Sequence, residues 1–278
     1  MTYTTIHLHL TPYPAPTSAG AIDYACALAK LFEAKLTVSS SRMAIRAPQN
    51  WIIGTMMSTM ARELQTITSA KSEALELHVK REALTAGIEV KVSHVAEHWP
   101  GGLIDNAWLG RVSDLCILGL SQDSAEPRLY VEDWLFGAGR PCILYPDTSK
   151  QALSADNILI CWDFSRSAAR TVVDALPILH NAKRIRAAVF RGEKDIPVAD
   201  PVTPLVAFLS EHGITVEAEE VLVGTRTVGT AILEHAEATE TNLITMGAFG
   251  HSRAREFLLG GATRELLGKS TIPLLMSH

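Results

Sequence analysis

The chain is expected to fold as two tandem doubly wound α/β units, each built on a parallel five-stranded sheet, and three features of the sequence point there. Its 278 residues are about twice a usual domain length of roughly 150. Short apolar runs alternate with segments of helical spacing through residues 155–278. The same order recurs through residues 1–148 at constant offsets. Strands that alternate with helices pair in parallel through right-handed crossovers, which places helices on both sheet faces.

In the second half, Asn157 to Trp162 (NILICW) is a continuous apolar run of strand length. Ser165 to His180 follows as a helix, with Ala168, Ala169, Val172, Val173, Leu176 and Leu179 at helical spacing. Arg184 to Phe190 reads as a strand, Pro204 to His212 as a short helix and Ile214 to Val223 as a third strand. Thr227 to Thr239 is helical through Val228, Ala231, Ile232 and His235, and Asn242 to Met246 is the fourth strand. Arg253 to Leu267 is the last helix and Ile272 to Met276 the last strand.

The first half repeats this order. Ala27-Leu28 and Ala34-Lys35 match Ala175-Leu176 and Ala182-Lys183 at an offset of 148, each pair closing a helix before a strand. Leu103-Ile104 and LCILG at Leu115 to Gly119 match Ala231-Ile232 and LITMG at Leu243 to Gly247 at an offset of 128. Two ordered offsets indicate an internal duplication, and the difference of 20 residues places an insertion in the first half. The run from about 49 to 86, with Met57, Met60, Ala61, Leu64, Ile67, Ala74 and Leu77 as an apolar stripe, supplies it as an extended helix. The polar stretch PDTSKQALSA, residues 146–155, reads as the linker, so the domains are 1–148 and 155–278.

Composition removes several classes of function. Hydrophobic residues are 47% and charged residues 20%, which is globular usage rather than disorder. No apolar run reaches the roughly 18 residues of a membrane span, and no export or transit pattern precedes Lys30, so a cytoplasmic location is expected. Net charge is −5, and residues 1–148 carry 12 basic against 15 acidic groups, so neither half has the basic excess of a nucleic-acid binder. Cys26, Cys116, Cys142 and Cys161 stand apart in apolar stretches and are expected to be buried free thiols. His7 and His9 share a strand face, and His94 and His98 lie near a strand end. Without carboxylate or thiol partners at ligand spacing these are packing or surface residues, and no metal is expected. No GxSxG elbow, GxxxxGK[ST] loop or GxGxxG turn occurs, which leaves hydrolase, Walker-type and dinucleotide-enzyme readings without support.

The segment that carries chemistry is MGAFGHSRAREFLLGGAT, Met246 to Thr263. It leaves the end of a buried strand and runs toward a helix, and in an open α/β sheet ligands sit outside the carboxyl ends of the strands. Glycines let backbone N–H groups approach an anion, and a helix N-terminus favours negative charge. The glycines alone read equally well as a packing turn. Their spacing resembles the nucleotide loop of the universal stress protein family, Gly-x2-Gly-x9-Gly followed by Ser or Thr, through Gly247, Gly250 and Gly260. The hydroxyl position is Gly261 here, and Thr263 falls where the family often has a second hydroxyl. Trp162-Asp163-Phe164-Ser165 similarly resembles the family's Val-Asp-Gly-Ser, with Phe164 in place of glycine.

The resemblance covers both halves, and it implies a tandem, Rossmann-like protein of the adenine nucleotide alpha hydrolase type. It implies that Asp163 contacts the base or ribose and Ser165 caps the helix. Val189 would lie against adenine, and Met246, Gly247, Gly250, Gly260, Gly261, Ala262 and Thr263 would hold the phosphates of ATP or another adenine nucleotide, with or without Mg. His251 and Arg253 stand where they could pair with phosphate, or simply open a solvated helix. The first half has Thr11 and a proline-rich turn where Asp163 would be, and no glycine spacing after Gly119, so one site per chain is expected. The resemblance also implies that Cys142 to Leu144 pairs with Leu274 to Met276 about an internal pseudo-twofold. A homodimer through the inserted helix and an unidentified protein partner stay open. The functional expectation is a stress-response protein regulated by a nucleotide rather than one that turns it over. A scaffold that binds no nucleotide and an adenylyl- or electron-transfer enzyme are the alternatives, the last without a catalytic residue to support it.

Overall fold

A computed structural model describes residues 2–13, 15–45, 51–99, 106–122, 127–150, 155–192, 198–248 and 260–278. The first half runs β1 (Thr5–Leu10), α1 (Ala19–Leu31), β2 (Lys35–Ile45), α2 (Trp51–Ala86), β3 (Val90–Trp99), a 3-10 turn (Ala107–Val112), β4 (Leu115–Leu120), α3 (Pro127–Gly137) and β5 (Cys142–Pro146). The second half runs β6 (Asn157–Cys161), α4 (Arg166–Leu179), β7 (Arg184–Arg191), α5 (Val202–Glu211), β8 (Glu217–Leu222), α6 (Val228–Ala238), β9 (Leu243–Gly247), α7 (Gly261–Lys269) and β10 (Leu274–Ser277). The expected helix from Arg253 begins, among the described residues, at Gly261; 253–259 lie outside them.

All ten strands form one sheet in the order β3-β2-β1-β4-β5-β10-β9-β6-β7-β8. Each half is therefore wound 3-2-1-4-5, and every pairing is parallel except β5 with β10, which is antiparallel. Leu274 lies opposite Leu144, Leu275 opposite Ile143 and Met276 opposite Cys142, as the pseudo-twofold requires. Two contiguous cores cover the sheet. One packs Ile6, Leu8, Leu36, Ile158, Ile160 and Trp162 under residues of α1, α4 and α5. The other packs Leu118, Leu144, Leu159, Ile244 and Leu274 under residues of α3, α6 and α7. Ile143 and Leu275 belong to the first core and Leu144 and Leu274 to the second, so both cores run through the seam. The Tyr3 hydroxyl donates to the Asp174 carbonyl and the Gln122 amide to the Ser270 carbonyl across it. All four cysteines are buried free thiols.

Strand ends are fixed by local chemistry. Ser18 and Ser165 cap α1 and α4, accepting from the N–H groups of Ala21 and Ala168, which satisfies donors that the helix cannot. The 36-residue α2 is the inserted helix, against 10 residues in α5. Its buried face differs from the expected stripe. Thr68, Ser72, Glu76, Val79 and Ala83 point inward, whereas Ile67, Ala74 and Leu77 are exposed. The reason is the partner surface: Ser72 donates to the Ser41 carbonyl of β2 and Glu76 pairs with His94 of β3, while Val79 on the same face joins the apolar core.

The counterpart of the second half's apolar floor is polar in the first half. His7 bonds Thr37 and Ser39, and His9 bonds Ser39 and Ser41, so imidazoles and hydroxyls alternate across β1 and β2. Trp134 of α3 stacks over both rings, at centroid distances of 5.4 and 5.0 Å. In the second half α6 and α7 are clamped together by Glu265, which accepts from the Thr227 hydroxyl, from Thr230 at 2.8 Å and from Lys269 at 2.8 Å.

Burial, and next the neighbouring His9, push the His7 imidazole down to about 3. An unfolded chain protonates His7 near 6.5. Its neutral form therefore contributes fully above that pH, and the contribution is lost as pH falls toward the folded value. Urea midpoints should fall from pH 7 to pH 5 with a slope of up to about 1.4 kcal/mol per unit from this group. His7→Leu, which installs the residue type of Leu159, should flatten that slope. Hydrogen bonds from Lys269, Thr227 and Thr230 hold the Glu265 carboxyl down to about 2. Its contribution is complete above about 4.5 and is lost as pH drops through the folded value. Glu265→Gln should cost about 1 kcal/mol at pH 7, and the gap in urea midpoint from the wild type should narrow at pH 3.

Candidate functional site

Strand order reverses between β6 and β9: β6 leads outward to β7 and β8, and the chain returns to place β9 and β10 on the other side. The crevice above such a switch point is where open α/β sheets take ligands. Cys161 of β6 pairs with Met246 of β9 there. Asp163, two residues beyond Cys161, continues the same alternation toward the face covered by α6 and α7. Burial, and then the Asp163 carboxylate, push the Cys161 thiol up.

Asp163 holds its own loop. Its Oδ1 accepts from the Ser165 N–H at 3.0 Å, one residue before Ser165 caps α4. Between them Phe164 has φ 60°, the left-handed conformation that a glycine adopts without cost and that costs other residues about 1–2 kcal/mol. A phenylalanine thus occupies a glycine's backbone geometry at the family's glycine position. Its ring lies edge-on to Trp162 at 5.9 Å, and Trp162 belongs to the opposite core, so Phe164 leans away from Asp163's face. The Trp162 indole is itself fixed by donating to the Pro201 carbonyl at 2.7 Å.

The glycines of the loop divide into two kinds. A Cβ on Gly247 would lie 2.5 Å from the Ala168 nitrogen and 2.6 Å from the Ser167 Oγ, so this glycine lets the start of α4 close onto the end of β9. Thr171 sits at the same contact: its hydroxyl lies within hydrogen-bond reach of the Ser167 carbonyl at 2.8 Å and the Met246 carbonyl at 3.2 Å, and it accepts from the Ser277 N–H. Gly260 and Gly261 have no such role: a Cβ on either would meet nothing within 4 Å among the described residues. Gly260 is the N-cap of α7 and offers no side-chain acceptor. The first intrahelical bond there is Arg264 N–H to the Gly260 carbonyl, so the N–H groups of Gly261, Ala262 and Thr263 have no intrahelical acceptor. Donors at a helix N-terminus without an intrahelical acceptor can hold an anion. Thr263 is buried and Ala262 half-buried, which fixes the turn.

Of the remaining expected residues, Gly250, His251 and Arg253 lie outside the described residues. Met246 is buried beneath the crevice floor. The Val189 side chain is fully buried in the core on the far face of the sheet, so only its backbone groups are left at the strand end. Register explains it: Cys161 pairs with Ala188, so the β7 residue that shares Asp163's face is Phe190. Phe190 is half-buried against α6, with its ring edge-on to His235 at 5.9 Å. Parity along β7 carried this signal in the sequence, but without the register it had no origin.

The first half has the same frame and no comparable cradle among its described residues. The pairings Ile6 with Leu115 and Ile158 with Leu243 make Thr11 the counterpart of Asp163. Thr11 closes on Thr17, through Thr17 N–H to the Thr11 carbonyl and Thr11 N–H to the Thr17 hydroxyl, both at 2.9 Å. His9, at the level of Cys161, is covered by Tyr130 and Trp134.

Comparison with known proteins agrees with this geometry. Residues 155–278 match the model of the universal stress protein family. A curated relative, universal stress protein Slr1230 of Synechocystis, is 28% identical over 138 residues, which cover 49% of this chain and 46% of that protein, so the chain spans about half the relative's length. The crystal structure of a universal stress protein from Archaeoglobus fulgidus superposes with a TM-score of 0.70 at 17% identity, covering 98% of this chain and 97% of that one. A structure from Pseudomonas aeruginosa gives 0.59 at 14% identity, covering 99% and 93%. These two likenesses establish the ten-stranded fold over the whole length. No helix among the described residues is long and apolar enough to cross a membrane. Residues 155–278 of this chain therefore carry a universal stress protein domain, on a fold shared with both solved structures.

Proposed function

We propose that the second half binds ATP or a related adenine nucleotide in the crevice between β6 and β9, and that binding regulates the protein's association with a partner. The observation that carries this reading is the bare N-terminus of α7. Three backbone donors there have no intrahelical acceptor, and a Cβ on the adjoining Gly260 or Gly261 would meet no described residue within 4 Å. The donor set suits phosphates, through the amides of Gly261, Ala262 and Thr263, and a carboxylate suits a ribose hydroxyl or exocyclic amine. Phe190 supplies an apolar wall on the same face. Mg would serve as a counter-ion to the phosphates. The family's hydroxyl donor is missing at Gly261, which weakens the cradle by the worth of one neutral hydrogen bond. The other reading, a scaffold that acts through protein contacts alone, draws on that loss and on Phe164 in the glycine position.

Titration calorimetry of the full chain with ATP and Mg separates the two. Binding should be measurable. Asp163→Asn, which retains the Oδ1 acceptor for Ser165, should weaken it by about tenfold or more, as expected for a charge-assisted hydrogen bond worth roughly 1.5–3 kcal/mol. Gly261→Ser has room for its side chain and should tighten binding about two- to tenfold, from a bond worth roughly 0.5–1.5 kcal/mol. Absence of heat with both the wild type and Gly261→Ser would establish the scaffold.

A further inference from the structure

Outside this crevice, another cluster brings chemically reactive groups together from separate parts of the first half. Asp23 of α1 meets His78 and Glu82 of α2, which are one turn apart on the inserted helix, and their ligand atoms all lie within 4.8 Å of one another. The His78 Nε2 is 2.8 Å from the Asp23 Oδ1. All three side chains are half-buried, with 23 to 32% of each exposed, so a bound ion would have a fixed protein side and an open solvent side. We propose that Asp23, His78 and Glu82 form a divalent transition-metal site of the zinc type that ties α2 to α1.

The chemistry favours such an ion over a simple ion pair. An imidazole nitrogen with two carboxylates is a zinc-type donor set, which is completed by water in a tetrahedron with bonds of about 2.0–2.2 Å. The magnesium preference for six oxygens does not suit a histidine ligand. Two carboxylates converge while one guanidinium serves them: the Arg81 Nε donates to the Glu82 Oε1 at 3.0 Å, and its Nη2 lies 3.4 Å from the His78 Nδ1. Arg81 is largely exposed and can swing into solvent when an ion takes over its charge. The thiol of Cys26, one turn from Asp23, registers the same excess of negative charge. Burial, then the carboxylates of Asp23 and Glu82, push it up to about 12. The ion would hold the helix that distinguishes the first half from the second, where α5 has 10 residues and α2 has 36.

The test is equilibrium dialysis of the untagged full chain against Zn2+, with metal analysis and thermal melts on the same samples. One Zn2+ per chain and an upward shift of the melting temperature are expected, neither reproduced by Mg2+. Asp23→Asn and His78→Gln, both near-isosteric, should each weaken binding by about ten- to a hundredfold or more, since outer-shell groups alone are worth that much. Arg81→Gln should tighten it by removing the competing cation, a gain that a merely structural ion pair would not produce. His94→Ala, away from the cluster, should leave it unchanged. Zn2+ uptake that is unaffected by Asp23→Asn and His78→Gln would overturn the site, as would a chain that retains no Zn2+ at all.

Discussion

A parallel five-stranded unit ends on a strand whose outer row of N–H and C=O groups has no partner, and an exposed apolar edge of that kind invites aggregation. Here two such edges consume each other. β5 and β10 pair in antiparallel register, Ile143 against Leu275, and both are buried on both faces. Both cores then run without interruption through the seam, so neither half has a complete hydrophobic interior of its own. The outer edges of the merged sheet fall to β3 and β8, and β8 blunts its own with Glu217, Glu219 and Glu220.

The crevice follows from that winding. In each half the chain leaves β1 or β6 in one direction and returns on its other side, which opens a gap at the strand ends. Alternation along β6 decides what faces the gap. Trp162 goes down into one core and is held by Pro201, and Asp163 goes to the side of α6 and α7. The strained turn at Phe164 lets Ser165 cap α4 within two residues of the strand. Glu265 fixes α7 against α6, and so fixes where its uncapped amides lie.

The two halves show how much a shared backbone leaves undecided. At the positions of Leu159 and Cys161 the first half has His7 and His9, and the helix above supplies Trp134 to stack on them. Buried imidazoles need partners, since an unpaired buried polar group costs about 1–3 kcal/mol. Thr37, Ser39 and Ser41 on β2 provide them. The substitution of an apolar floor by a polar one therefore involves two strands and a helix together. The same holds for α2, whose inward Ser72 and Glu76 answer a backbone carbonyl of β2 and an imidazole of β3.

Element order, the duplication and the inserted helix were legible in the sequence, because alternation of apolar runs and internal repetition are local or periodic signals; the β5–β10 pairing was implied by the family resemblance alone. Asp163 and the glycine spacing of the loop stood out only through that resemblance. What the sequence left open was set by register. Val189 and Phe190 are adjacent, and only the pairing of Cys161 with Ala188 decides which of them shares a face with Asp163. The apolar stripe of α2 misled because periodicity identifies a helix but not the surface it will meet. Asp23 is separated from His78 and Glu82 by more than fifty residues of chain, and no spacing rule joins it to them; the packing of α2 on α1 does. The glycines were alike on paper, and tertiary contact alone separates Gly247, crowded by α4, from Gly260 and Gly261, which stand in the open.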